Sequence, residues 1–147
     1  MNKAGNRIIT ALLFSMASIS SSASFANEDA IEYRQDVFAS SEHHIKAAFA
    51  IFLGKVPYSE HLVSHANALS DFGQMIPVLF PSNSAGGDAL PSVWAEPDLF
   101  GAKAAEFQEA ALAFKAAATK NDPAAIQKTL PALGQACKGC HDKFRKE

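Results

Sequence analysis

Four stretches of this chain place apolar residues at alternating spacings of three and four, and that pattern admits little besides a bundle of helices. About Glu28 to Leu53 carries Ile31, Phe38, Ile45, Phe49 and Phe52. About Ser59 to Leu79 carries Leu62, Ala66, Leu69, Phe72 and Ile76. About Pro97 to Thr119 repeats Phe100, Ala104, Phe107, Ala111, Phe114 and Ala118. About Pro123 to Arg145 repeats Ile126, Leu130, Leu133, Cys137, Cys140 and Phe144. On a helix of 3.6 residues per turn such positions share one face. No stretch reads as a strand. Helices of this length, each with one apolar stripe to bury, predict an all-α chain folded as an antiparallel four-helix bundle.

The punctuation agrees. Gly54 to Pro57 separates the first two helices, and Pro81 to Pro91, with Gly86-Gly87 inside it, reads as a long crossing loop. Asn121-Asp122-Pro123 reads as a cap followed by proline at the first helical position. Pro131 interrupts the last stripe: it lacks an amide hydrogen and crowds the carbonyl of Gln127, which predicts a kink or a broken start. Because the periodicity continues through it, one kinked helix is expected.

Lys3 and Arg7 precede an apolar run from Ile8 to about Ile19, and small residues follow, ending in Ser24-Phe25-Ala26. A basic start, a short apolar run and a small-x-small site describe a secretory leader. The run falls short of the roughly 20 apolar residues that span a bilayer, with a retained N-terminal anchor as the alternative. Residues 1–26 are therefore expected to be removed after Ala26, leaving one domain over residues 27–147. That removal takes away Lys3 and Arg7 and no acidic residue, so the formal charge of −2 becomes −4. A mildly acidic domain with no basic run offers nothing to nucleic acid or to an anionic membrane surface.

The chain has 2 cysteines, and both lie in Cys137-Lys138-Gly139-Cys140-His141. A disulfide across so small a loop would restrain almost nothing in the unfolded chain. A dithiol redox motif expects a strand-helix unit beside it, and a closed zinc site needs four ligands. The pattern is instead that of covalent attachment of haem c. Positions i, i+3 and i+4 share a helix face, so two thiols can reach the two vinyl groups while the next imidazole, His141, reaches the iron as proximal ligand.

With a C-terminal haem motif on the last helix of a bundle, the chain resembles the cytochrome c-prime family of class II c-type cytochromes. Glu28-Asp29-Ala30-Ile31-Glu32-Tyr33-Arg34-Gln35 is similar to that family's opening helix, Gly86-Gly87-Asp88-Ala89-Leu90-Pro91-Ser92-Val93-Trp94 to its crossing loop, and Cys137 through Arg145 to its haem-binding helix. The resemblance implies that Arg34 and Gln35 lie near the haem propionates, that Asp88 approaches the haem edge, and that Arg145 covers the proximal side of the imidazole. The plainer alternative for Arg34 and Arg145 is a solvated helix face.

The resemblance also puts Phe38 opposite the histidine, on the distal side of the iron. Phenylalanine has no lone pair to donate. A low-spin branch of the family uses a methionine on the first helix, and this first helix has none after the leader. The expectation is a five-coordinate, high-spin iron in an apolar pocket that admits NO and CO while supporting water and anions poorly. Phe38 is expected to gate that pocket. The implied role is gas binding in the periplasm, with electron exchange through an unidentified redox partner. The alternative is a six-coordinate electron carrier. A peroxidase would need a distal base, which Phe38 cannot be.

His43, His44, His61 and His65 remain. His61 and His65, four residues apart, read as a solvated pair that could hold a surface metal. Met75 reads as core or loop filler. Ala47 to Leu53 is apolar on more than one face, and this implies a partner helix outside the bundle and hence a homodimer, as the family often forms.

Overall fold

The computed structural model describes the backbone over residues 22–147 and side chains from residue 28 onward. The leader and its cleavage after Ala26 lie outside the residues described in full. The chain forms α1 (Ser22–Phe52), α2 (Leu62–Met75), α3 (Ser92–Ala95), α4 (Pro97–Thr119) and α5 (Pro123–Phe144). The four long helices make the bundle, and α3 is a single turn at the end of the crossing loop. No helix among the described residues is long and apolar enough to cross a membrane.

Local chemistry sets the ends. At the close of α1 Gly54 takes φ 64°, and the amides of Gly54 and Lys55 reach back to the carbonyls of Ile51 and Ala50, both at 2.9 Å. This is a Schellman closure. α4 ends the same way with Asn121 at φ 48° in place of glycine. The amides of Asn121 and Asp122 donate to Ala118 and Ala117. Asp122 then opens α5: its Oδ1 accepts from the amides of Ala124 and Ala125, both at 3.1 Å, with Pro123 at the first helical position.

Two expected boundaries shift. The second helix does not run from Ser59 to Leu79. It is a 3-10 turn at Ser59–His61, then α2, then a second 3-10 turn at Ile76–Val78. Pro77 sits in that last turn, where it has no amide to donate to the Gly73 carbonyl, although Ile76 before it keeps helical dihedrals and still donates to Phe72. At Pro131, by contrast, α5 is continuous, and its neighbours Leu130 and Leu133 are fully buried. Gln127 lies on the exposed face, so water can serve the carbonyl that proline cannot.

Packing is uneven, and the unevenness matters for function. α4 lies along both α2 and α5, and α1 lies along α2, but α1 and α5 scarcely meet. Gly73 lets α2 approach α4 closely: a Cβ there would stand 3.3 Å from the Gln108 Cα and from the Phe107 ring. The joint core holds Ala66, Leu69, Ala111, Phe114, Leu130 and Leu133. Where α1 and α5 diverge, the bundle keeps a cavity.

Candidate functional site

That cavity measures about 550 Å³, inside the range of roughly 300–1,000 Å³ typical of ligand sites. Aromatic rings packed edge to face make much of its wall. Phe38 of α1 meets Phe72 of α2 at 4.9 Å and Phe80 of the crossing loop at 5.9 Å, and Phe72 meets Phe107 of α4 at 5.3 Å. Phe80 continues to Phe100 at 4.7 Å, and Phe100 to Phe144 at 5.3 Å. Such contacts add about 0.5–1.5 kcal/mol each beyond burial, so the wall is held in shape by its own rings.

α5 brings Cys137, Cys140 and His141 to the cavity together, as their spacing on one helix face requires. Burial pushes both thiols up to about 11. That is the opposite of the depressed value a redox-active dithiol needs. Burial, and then the charge of Arg145, lowers the proton affinity of His141, so its ring is held neutral with a lone pair to donate. The His141 ring makes no hydrogen bond to any described residue. Two thiols and an unpartnered imidazole facing an apolar slot between diverging helices are the donor set of a covalently held haem, and the residues present fit it.

The other expected residues are placed as follows. Phe38 lines the cavity on α1, across from α5. Arg34 and Gln35 line it as well, but Arg34 is no solvated face: it is 3% exposed and its guanidinium is turned into the crossing loop. Nη1 donates to the Ser84 hydroxyl at 2.9 Å and the Ser84 carbonyl at 3.1 Å, with a longer bond of 3.3 Å to Leu79. Nη2 donates to the Ser84 and Gly86 carbonyls at 3.1 and 3.0 Å. The group also stacks over Phe80 at 4.8 Å and Trp94 at 5.8 Å. Burial lowers its proton affinity, and no carboxylate pairs with it among the described residues.

Asp88 and Arg145 reach the cavity at its rim, 3.9 Å from each other and both well exposed. Arg145 is no longer helical, because α5 ends at Phe144 and the chain turns extended to join the crossing loop. The Leu90 amide donates to the Phe144 carbonyl at 2.9 Å and the Lys146 amide to the Asp88 carbonyl at 2.8 Å. Gly87, at φ 59°, lies so near α1 that a Cβ would stand 3.0 Å from Ile31 and 3.2 Å from Gln35. The loop is thus held by Arg34 from one side and by the chain terminus from the other. Met75 is 36% exposed and does not line the cavity.

Three contributors were not singled out from the sequence. Ser84 accepts from Arg34, and nothing in a loop sequence marks which carbonyl an arginine will find. Lys103 and Glu42 sit at the cavity edge on α4 and α1. Lys103 could have been found, since it adjoins the stripe of Phe100, Ala104 and Phe107.

The family model described as Cytochrome C' matches residues 29–145. Cytochrome c' of Pararhodospirillum photometricum is 39% identical over 118 residues, covering 78% of this chain and 94% of that protein. Cytochrome c-554 of Cereibacter sphaeroides is 33% identical over 146 residues, covering 93% and 95%. Among solved structures, a nitric oxide complex of a mutant cytochrome c prime from Alcaligenes xylosoxidans superposes with a TM-score of 0.77 at 28% identity, covering 82% of this chain and 97% of that one. A match over nearly the whole helical domain shows that this chain belongs to the cytochrome c' family, and the covalent haem c of that family is carried here on Cys137 and Cys140.

Proposed function

We propose that this chain binds small neutral diatomic gases, NO and CO, at a five-coordinate haem iron held by His141, and exchanges electrons as a linked activity. Haem held by Cys137, Cys140 and His141 would supply an iron able to take a diatomic ligand and a one-electron couple. The observation that carries the reading is the composition of the cavity wall: apart from His141, no histidine or methionine among the described residues lines it. Phe38 stands on the α1 side with Phe72 and Leu69 behind it, and none of these has a lone pair or a hydrogen to donate.

Such a wall sorts ligands by what they lose on leaving water. A diatomic of low polarity loses little, whereas water or an anion gives up hydrogen bonds that Phe38, Phe72 and Leu69 cannot replace. Phe38 holds the space by packing on Phe72 and Phe80, so admission of a ligand requires the ring to lean aside. His141, held neutral by burial, donates from the opposite side. The nitric oxide complex of the Alcaligenes protein supports the same reading for this fold. Phe38 cannot act as a distal base, which favours a non-enzymatic role over peroxidase chemistry.

The reading includes export: residues 1–26 act as a leader, and the domain from Asn27 works in the periplasm, where it exchanges electrons with a redox partner. It also includes pairing with a second copy through the outer face of α1, just beyond whose end Leu53 is left 58% exposed. Mass and N-terminal sequence of the purified protein check the first, and light scattering checks the second.

The absorption spectrum, ferric and ferrous, before and after CO, tests the central claim. A high-spin ferrous spectrum that shifts on adding CO is expected. A low-spin ferrous spectrum indifferent to CO would mean a sixth ligand, and the chain would be an electron carrier.

A further inference from the structure

Outside the haem cavity, two histidines meet across the seam between α1 and α2. The Nδ1 atoms of His44 on α1 and His65 on α2 stand 3.0 Å apart, with ring centroids separated by 5.3 Å and planes inclined at 57°. Both residues are partly buried. The pairing differs from the one their spacing suggests. His61, four residues before His65, stacks instead on Tyr58 at 5.3 Å and lies 3.8 Å from Glu60.

Two neutral imidazoles in this geometry share one hydrogen, one Nδ1 donating and the other accepting. Burial, and then the neighbouring His44 and His61, lowers the proton affinity of His65, which keeps a lone pair on the seam. The separation is also close to that of two nitrogens on one metal. With bonds of 2.0–2.1 Å and a tetrahedral angle, two ligand nitrogens lie about 3.3 Å apart. A small rotation of either ring spans the difference. Moving the shared hydrogen from Nδ1 to Nε2 of the donor ring frees both lone pairs, with no net loss of a proton. No group of three or more histidines, cysteines and carboxylates is gathered for a metal among the described residues, so water fills the remaining positions.

We infer that His44 and His65 form a two-imidazole site that takes one borderline divalent transition-metal ion, such as Zn²⁺ or Cu²⁺, and bridges α1 to α2. Imidazole nitrogen suits these ions and not Mg²⁺ or Ca²⁺. The bridge lies on the same helix pair as the Phe38–Phe72 contact, two turns of α2 away.

Calorimetric titration of the haem-loaded protein with zinc chloride tests this. The loaded form is used because Cys137, Cys140 and His141 would offer a competing donor set without haem. One ion per chain is expected, with no binding heat from magnesium chloride. Replacing His44→Ala or His65→Ala should each weaken zinc binding at least tenfold, the lower bound seen even for residues that only orient a ligand. His61→Ala should leave it unchanged, and zinc should raise the melting temperature of the wild type but not of His65→Gln. Far-ultraviolet circular dichroism and the haem absorption band establish that each variant is folded. Absence of zinc binding, or wild-type affinity in His44→Ala or His65→Ala, overturns the inference. So does a loss confined to His61→Ala, which would place the ion on the His61–His65 pair.

Discussion

Removing the Arg34 fork should loosen the crossing loop and cost a sizeable part of the protein's stability. The acceptor that suffers most is the Ser84 carbonyl, which takes bonds from both Nη atoms within a residue that is 0% exposed. Water cannot replace those bonds without opening the loop, and an unserved buried acceptor costs about 1–3 kcal/mol. The Gly86 carbonyl is only partly buried and can rehydrate. The Ser84 hydroxyl keeps its own bond to the Pro81 carbonyl at 2.9 Å. Loss of the stacking on Phe80 and Trp94 adds up to about 2 kcal/mol for a desolvated cation. Against this, the guanidinium is no longer held out of water. The balance is about 3 kcal/mol, and at about 4 °C per kcal/mol for a domain of this size the melting temperature should fall by about 12 °C.

Arg34→Met separates the fork from the stem, because it keeps much of the packing volume and removes every donor. Arg34→Lys should recover about half of the loss, since one ammonium cannot reach both arms of the loop at once. Thermal melts of the haem-loaded variants read the global effect. Trp94 reads the local one: it is the protein's 1 tryptophan, and its Nε1 donates to the Pro81 carbonyl at 3.1 Å inside the same loop. Its emission should change in Arg34→Met and largely return in Arg34→Lys. Arg145→Ala is the contrast, since Arg145 is exposed and its ion pair is open to water, and a change within about 0.5 kcal/mol is expected. If Arg34→Met melts within about 1 kcal/mol of the wild type with Trp94 undisturbed, the fork does not hold the loop and the reasoning fails.

Lowered proton affinity at His65 has a sign in pH: the unfolded chain takes up this proton first, so the contribution is fully present above about pH 6.5 and is lost as pH falls through the folded value. Urea midpoints measured with chelator should therefore drop on going from pH 7.5 to pH 5 in the wild type, and drop less in His65→Gln. Gly87→Ala should cost about 1–2 kcal/mol for a left-handed non-glycine residue, before the contact with Ile31, and denaturant titration reads it. Cys137→Ala combined with Cys140→Ala should give a chain whose haem is lost on denaturing gels, where the wild type retains it. Phe38→Leu should raise the CO association rate by removing the ring that must lean aside, and an unchanged rate in flash photolysis would show that the gate lies elsewhere.

The helix ends were legible where a single residue decides them. Gly54, the Asn121-Asp122-Pro123 run and Pro97 each act through a local bond or a missing amide, and all three boundaries stand where those residues put them. Pro77 acts just as locally, but the stripe that ends at Ile76 carries no mark of it and predicts a helix to Leu79, past the end of α2 at Met75. Pro131 carried the opposite lesson. Its cost is paid at an exposed turn, and burial of Leu130 and Leu133 decides for the helix. The site divided along the same line. Cys137, Cys140 and His141 meet because helix geometry brings them together, so spacing suffices. The partners of Arg34 and His65 lie 50 and 21 positions away in the chain, and no local rule selects one carbonyl or one imidazole at that range.

The cavity also explains why this bundle is uneven. Four stripes of ordinary width would close on one another, yet α1 and α5 scarcely touch while α4 packs on both its neighbours. The side chains on the open side are apolar rings that hold one another edge to face, so they keep the slot's shape without filling it. A core built this way is complete only with a flat apolar group in the slot. The pair of thiols on α5 supplies a covalent hold, so that group cannot be lost by dissociation. The crossing loop closes the slot's edge, which accounts for the two separate fastenings on it, Arg34 from α1 and the Phe144–Lys146 backbone from α5. If Phe38 faces the iron as proposed, the rings that would keep its far side dry also hold α1 against α2, and a change at Phe38 or Phe72 should move ligand kinetics and stability together.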